Sequence, residues 1–127
     1  MPRVSIHLKR ERGADAELLA AQHLQSHGVL VLARNLRCRA GELDLVCLDG
    51  QVLAIVEVRQ RVRSDFGGAL ASVNPTKQRK IIRATGFFWQ RTPSWHVWRM
   101  RFDVIGVQGL PGGTHLIHWL KDAFRAT

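Results

Sequence analysis

The chain of 127 residues is 46% hydrophobic and 23% charged, with nineteen Lys and Arg against ten Asp and Glu and a formal net charge of +9. That is the length of one domain with a core of its own, and the composition excludes disorder and collagen-like repeats. No apolar run approaches the ~20 residues of a membrane span, and two cysteines, Cys38 and Cys47, are too few for a disulfide framework.

Met1 to Gly13 is basic with no apolar stretch behind it. No signal peptide is therefore expected, and the cytoplasm is the expected compartment, where both cysteines stay free thiols. Residues 1–127 are expected to form a single domain, with 1–10 flexible. Helical spacing of Ala14, Leu18, Ala21 and Leu24 predicts a first helix over Glu11–His27, stopped by Gly28. Apolar β-rich segments predict strands over Val29–Arg37, Glu42–Leu48 and Val52–Arg61, the last two joined by a two-residue turn at Asp49-Gly50. Val62–Val73, which holds Gly67 and Gly68, reads as a loop. Asn74-Pro75 reads as the N-cap and first position of a second helix running to Gln90, with Ile81, Ala84, Thr85 and Phe88 on one face. Trp95–Val107 and Thr114–Trp119 are the remaining predicted strands, and Lys121–Arg125 a short helical tail. The order predicts an α/β fold with a mixed central sheet flanked by helices, not a doubly wound one.

Fifteen of the nineteen cations are arginine, which suits bidentate contact with phosphate. A balance this basic favours a polyanionic partner, nucleic acid before a membrane surface. Against that background the acids of the hairpin stand out. With Asp49-Gly50 as the turn, Glu42 faces Glu57 and Asp44 faces Ile55. Strand alternation then puts Glu42, Asp44, Glu57 and Arg59 on one side, and Leu43, Leu45, Cys47, Val56 and Val58 on the other as core. Like charges opposed on a sheet destabilise it. Two readings follow: hard oxygen ligands around Mg²⁺ or Mn²⁺, or an acidic face paired by Arg37, Arg39, Arg59 and Arg61.

Other spacings carry less. His23 and His27 stand four apart but have no third ligand, and His115 and His118 read as surface residues. Gly67-Gly68 lacks the spacing of a phosphate-binding P-loop. Trp89, Trp95 and Trp98 could stack on unpaired bases but read first as core, and Asp103 reads as half of a structural ion pair.

Gly41-Glu42-Leu43-Asp44-Leu45 followed by Val56-Glu57-Val58-Arg59-Gln60-Arg61 resembles the paired signature of the YraN-like family. Ala16-Glu17, Asn35-Leu36-Arg37, Lys77, Arg101-Phe102-Asp103-Val104 and Ala123-Phe124 match at similar spacing, so the resemblance spans nearly the whole chain. It implies a restriction-endonuclease-like fold with an αβββαβ core, similar to archaeal Holliday junction resolvases. It also implies a Mg²⁺- or Mn²⁺-dependent endonuclease acting on DNA, branched or single-stranded. Residue by residue, the implied metal ligands are Asp44, Glu57 and Glu17, with Arg59 completing the catalytic set and Glu42 an accessory acid. Arg59 stands where the related nucleases carry lysine. A guanidinium supplies charge but no proton acceptor, and Lys77 is the alternative cation. Arg61, Arg63, Lys77, Arg79, Lys80 and Arg83 are the expected backbone contacts. Resolvases that cut two strands imply a homodimer. The competing readings are a nucleic-acid-binding module of the same fold without turnover, and a protein–protein adaptor.

Overall fold

The computed structural model describes residues 8–61 and 66–126, with side chains described for 15–60 and 68–126. Helix α1 (Leu8–Ser26) leads into strands β1 (Leu30–Cys38), β2 (Gly41–Asp49) and β3 (Val52–Arg61). After them come a six-residue helix, α2 (Phe66–Ala71), and α3 (Pro75–Arg91). A 3-10 turn (Pro93–Val97) and strands β4 (Arg99–Gly109) and β5 (His115–Phe124) complete the order. The five strands form one sheet in sequence order. Only the β3–β4 pair is parallel, bridged by the helical crossover, and the other three pairs are antiparallel. The expected α/β class, a restriction-endonuclease-like core with a mixed sheet flanked by helices, is the one observed.

Both faces of the sheet are covered. On one face α1 packs Ala16, Ala20, Ala21 and Leu24 against Leu45, Cys47, Val56, Val58, Ile105 and Val107. Small residues bring the helix axis close to the strands. The buried stripe differs from the predicted one: Leu18 is 43% exposed, because Ala16, Ala20 and Leu24 recur every fourth residue. Gly28 ends the helix as expected, at φ +81°. The Val29 N–H reaches the Leu24 carbonyl and the Gly28 N–H the Gln25 carbonyl, both at 3.0 Å, a Schellman closure. α1 begins at Leu8, three residues before the predicted start, and 1–7 lie outside the described residues.

On the other face α3 lays Ile81 and Ala84 over Leu43, Val46, Leu53, Ile55 and Val104. Its cap is the predicted one: the Asn74 side chain accepts the Lys77 N–H at 3.0 Å, and Pro75 opens the helix. The loop expected at Val62–Val73 instead contains α2, with 62–65 outside the described residues. α2 fits because Gly106 of β4 has no side chain; a Cβ there would come within 2.9 Å of Ala69 Cβ.

Three further expectations are corrected. Trp95 is not in a strand. It is buried in the second core cluster as part of the 3-10 turn, with its N–H on the Thr92 carbonyl. Trp89 and Trp98 pack partly buried on the same cluster. Lys121–Arg125 is not helical: a five-residue helix cannot offset its nucleation cost. β5 instead runs through to Phe124, whose ring stacks on Phe102 at 5.0 Å. The hairpin turn, finally, is Gly50-Gln51, because Asp49 pairs with Val52. The Asp49 carboxylate is held in the strand by Arg101 at 2.7 Å and Lys121 at 3.7 Å.

Asp103 is fully buried. It accepts Arg101 at 2.8 and 3.0 Å, Trp119 Nε1 at 2.9 Å and the Asp122 N–H at 2.9 Å, so it is a structural ion pair. Both cysteines are free, and burial pushes the Cys47 thiol up to about 12. Among the described residues no helix is long and apolar enough to cross a membrane.

Candidate metal and phosphate site

The corrected turn moves every hairpin pair by two residues. Alternation is preserved, but the partners change. The β2–β3 ladder runs from Asp49–Val52 to Leu45–Val56 and stops there. The next position places Asp44, not Glu42, beside Glu57. Beyond the ladder the Asp44 carboxylate accepts the Val58 N–H at 2.9 Å, doing the work of the missing strand carbonyl.

A break in pleating makes this possible. Asn35 sits in the left-handed region at φ +53°, between the Arg34–Leu45 and Leu36–Leu43 pairs of β1 and β2. Past that point Leu43 leaves the face of Leu45 and Cys47 and packs with Val46, Ile81 and Ala84. The expectation that Leu43 shares a face with Leu45 is therefore wrong. Its neighbour Glu42 turns away from Glu57 and bonds Arg37 at 3.3 Å.

Asp44 and Glu57 act on each other electrostatically, and both carboxyls are raised. Burial is the largest cause in each. The negative charge of Asp44 adds to it, and Glu57 is pushed up to about 9. The Val58 N–H pulls Asp44 back. The two carboxyls therefore titrate as a pair rather than as independent groups.

Two cations face them. Arg59 Nη1 lies 3.9 Å from Glu57 Oε2, while its Nε donates to Ser72 Oγ at 3.0 Å. Ser72 in turn donates to the Ala69 carbonyl at 2.7 Å. Lys77, in the first turn of α3, also lowers the Glu57 value through its charge. Glu17 of α1 is partly buried and raised, first by burial and then by Asp44, with Asn35 pulling the other way. Among the described residues no group of three or more His, Cys, Asp or Glu converges as a ligand cluster. The structure brings Asp44 and Glu57 together and leaves Glu17 in electrostatic reach of Asp44.

The donor set fits a hard dication. Two adjacent carboxylates offer what Mg²⁺ takes from a protein, one or two carboxylates, with water and phosphate filling the rest. Of the expected backbone contacts, Arg79, Lys80 and Arg83 are exposed on α3 beyond Lys77. Arg61 is on β3 with its side chain outside the described residues, and Arg63 lies outside them altogether. Ser72, which steers Arg59, carries no sequence signal; a lone serine before a helix cap is common.

A family model described as "Uncharacterised protein family UPF0102" matches residues 16–107, a span that holds Glu17, Asp44, Glu57, Arg59 and Lys77. A UPF0102 protein of Pseudomonas fluorescens is 45% identical over 112 residues, covering 88% of this chain and 91% of that protein. One from Pseudomonas savastanoi pv. phaseolicola is 43% identical over 124 residues, 98% of each chain. A third, from Stutzerimonas stutzeri, is 45% identical over 114 residues, covering 90% and 94%. The chain belongs to the UPF0102, or YraN-like, family.

Proposed function

We propose that the protein is a Mg²⁺- or Mn²⁺-dependent nuclease that hydrolyses phosphodiester bonds in DNA, with branched or single-stranded DNA as its substrate class. One observation carries the reading: two half-buried carboxylates from adjacent strands stand together, both raised first by burial, with two basic side chains beside them. Asp44 and Glu57 would hold the ion, and Glu17 would reach its shell through water. When bound, the ion supplies Lewis acidity toward a phosphate oxygen and a nucleophilic water at neutral pH. Arg59, oriented by Ser72, offers fixed positive charge to the phosphate as negative charge grows on it. Lys77 offers a second. Arg79, Lys80 and Arg83 continue the positive surface along α3 and would hold the backbone without reading sequence.

Arginine at position 59 favours a second reading, a binding module without turnover. Its Nε is committed to Ser72, and a guanidinium cannot take a proton from water. One experiment separates the two. Mn²⁺ is titrated calorimetrically into the wild type, Asp44→Asn and Glu57→Gln, and the same proteins are incubated with junction, flap, single-stranded DNA and RNA. The nuclease reading expects one-site heat and metal-dependent cleavage, both lost in the variants. Absence of cleavage on every substrate, with salt-sensitive binding that the variants keep or strengthen, establishes the binding module. Binding that does not respond to salt removes both and leaves the protein–protein adaptor.

A further inference from the structure

Between the β1–β2 turn and the C-terminal half of α3 lies a groove of about 710 Å³, lined by Arg39, Ala40, Arg83, Gly86, Phe87 and Gln90. The lining holds two guanidiniums, one aromatic ring and one amide, and no carboxylate. Its volume falls in the range of sites for small organic ligands and far exceeds what a lone phosphate needs. Positions 83, 86, 87 and 90 share one face of the helix, opposite the buried Ile81, Ala84 and Thr85.

Two details shape the groove. Glycine inside a helix is unfavourable relative to alanine, yet a Cβ at Gly86 would meet no atom within 4 Å. The missing side chain is open space on the groove floor. Arg91 is not among the lining residues; its guanidinium covers one face of the Phe87 ring at 3.6 Å from the centroid. Phe88 meets that ring edge-on at 5.1 Å. The Phe87 ring is thereby held at the groove wall.

We infer that this groove is a subsite for one unpaired nucleotide of a nucleic-acid strand, its base against Phe87 and its phosphates toward Arg39 and Arg83. The inference rests on the nucleic-acid reading above and gives it a strand-selective contact. A base needs a π surface with a nearby hydrogen-bonding group, and Phe87 with Gln90 supplies both. A duplex backbone, whose bases are stacked inside, has nothing to place in a concave aromatic pocket. Lys77 acts on Glu57, and Phe87 lies ten residues further along α3, about 15 Å by helix rise. Lys80 and Arg83 lie between, and Lys80 packs against Gly41 of the same turn that carries Arg39.

The test is fluorescence anisotropy in EDTA, so that no strand is cut, with a labelled oligothymidylate and a labelled blunt duplex. The proteins are the wild type, Phe87→Ala and Gly86→Leu; the leucine enters open space and preserves the fold, checked by thermal melting. Both substitutions are expected to weaken oligothymidylate binding about five- to hundredfold and to change duplex binding less than about twofold. Equal losses on both probes, or unchanged oligothymidylate binding in both variants, overturn the subsite. Cleavage assays on the same proteins keep the two readings apart. Strand-selective loss without any cleavage supports the subsite while removing the hydrolytic reading. Cleavage with unchanged oligothymidylate binding removes the subsite alone.

Discussion

The Asp44 carboxylate accepts the backbone N–H of Val58 at 2.9 Å, one residue beyond Glu57. Asp44 is therefore pinned by a donor that cannot move, while Glu57 is free to keep or give up its proton. The folded value of Glu57 is raised from 4.5 to about 9. A group raised on folding contributes stability that is fully present below its unfolded value and lost as pH rises through the folded one. Asp44, also raised, acts in the same direction. Thermal melts of the metal-free protein are thus expected to show Tm falling between about pH 5 and pH 9, at about 3–5 °C per kcal/mol for a domain of this size. Glu57→Gln, which keeps a neutral donor against Asp44, is expected to flatten that slope. An equal slope in Glu57→Gln and wild type would show that the pair does not titrate in this window.

Arg59 answers to Ser72 more closely than to Glu57, at 3.0 Å against 3.9 Å. In the nuclease reading Ser72 is therefore a positioning residue, holding the guanidinium proposed to meet phosphate. Arg59→Ala is expected to lower the cleavage rate by about 10²–10³, the usual loss for one stabilising donor. Ser72→Ala should cost about tenfold in kcat with KM unchanged, because it loosens the charge without removing it. The check is single-turnover kinetics beside strand binding. A Ser72→Ala effect confined to KM would assign the serine to binding instead.

The pairing of Asp44 with Arg59 on one side of the sheet was legible because alternation survives a slip of two residues. The slip itself was not, since Asp49 stays in its strand through Arg101, fifty-two positions away, and Lys121. Nor does a two-residue pattern reveal that Asn35 takes a positive φ and turns Leu43 to the other face. α2 was hidden behind Gly67-Gly68, which read as breakers, while the contact that seats it involves a glycine on a distant strand. Asn74-Pro75 was readable because a cap is local chemistry. Tertiary contacts decided the rest.

Asp103 separates structure from catalysis. Its carboxylate is fully buried and holds Arg101, Trp119 and the Asp122 N–H, on the face of α1 rather than that of Glu57. Asp103→Ala leaves the Arg101 guanidinium with Asp49 alone. Breaking a buried pair in this way costs about 3–5 kcal/mol. Urea melts should show that loss, while cleavage per folded molecule, measured well below the new Tm, stays at the wild-type rate. A specific loss of cleavage in protein that remains folded would place Asp103 in the chemistry.

Gly106 tests the mechanical link from the sheet to Arg59. The 2.9 Å approach between a Cβ at this position and Ala69 Cβ leaves no room for any side chain unless α2 moves. α2 ends at Ala71, and Ser72 follows directly, bonded back to the Ala69 carbonyl. Pushing Ala69 outward therefore carries Ser72 away from Arg59, although neither residue has been altered. Gly106→Val is expected to destabilise by about 1–3 kcal/mol through overpacking and to reproduce the kinetic signature of Ser72→Ala. In the double variant with Ser72→Ala the two rate losses should not add, because the same hydrogen bond is removed once. Losses that multiply would mean that α2 acts on the site by some route other than the serine.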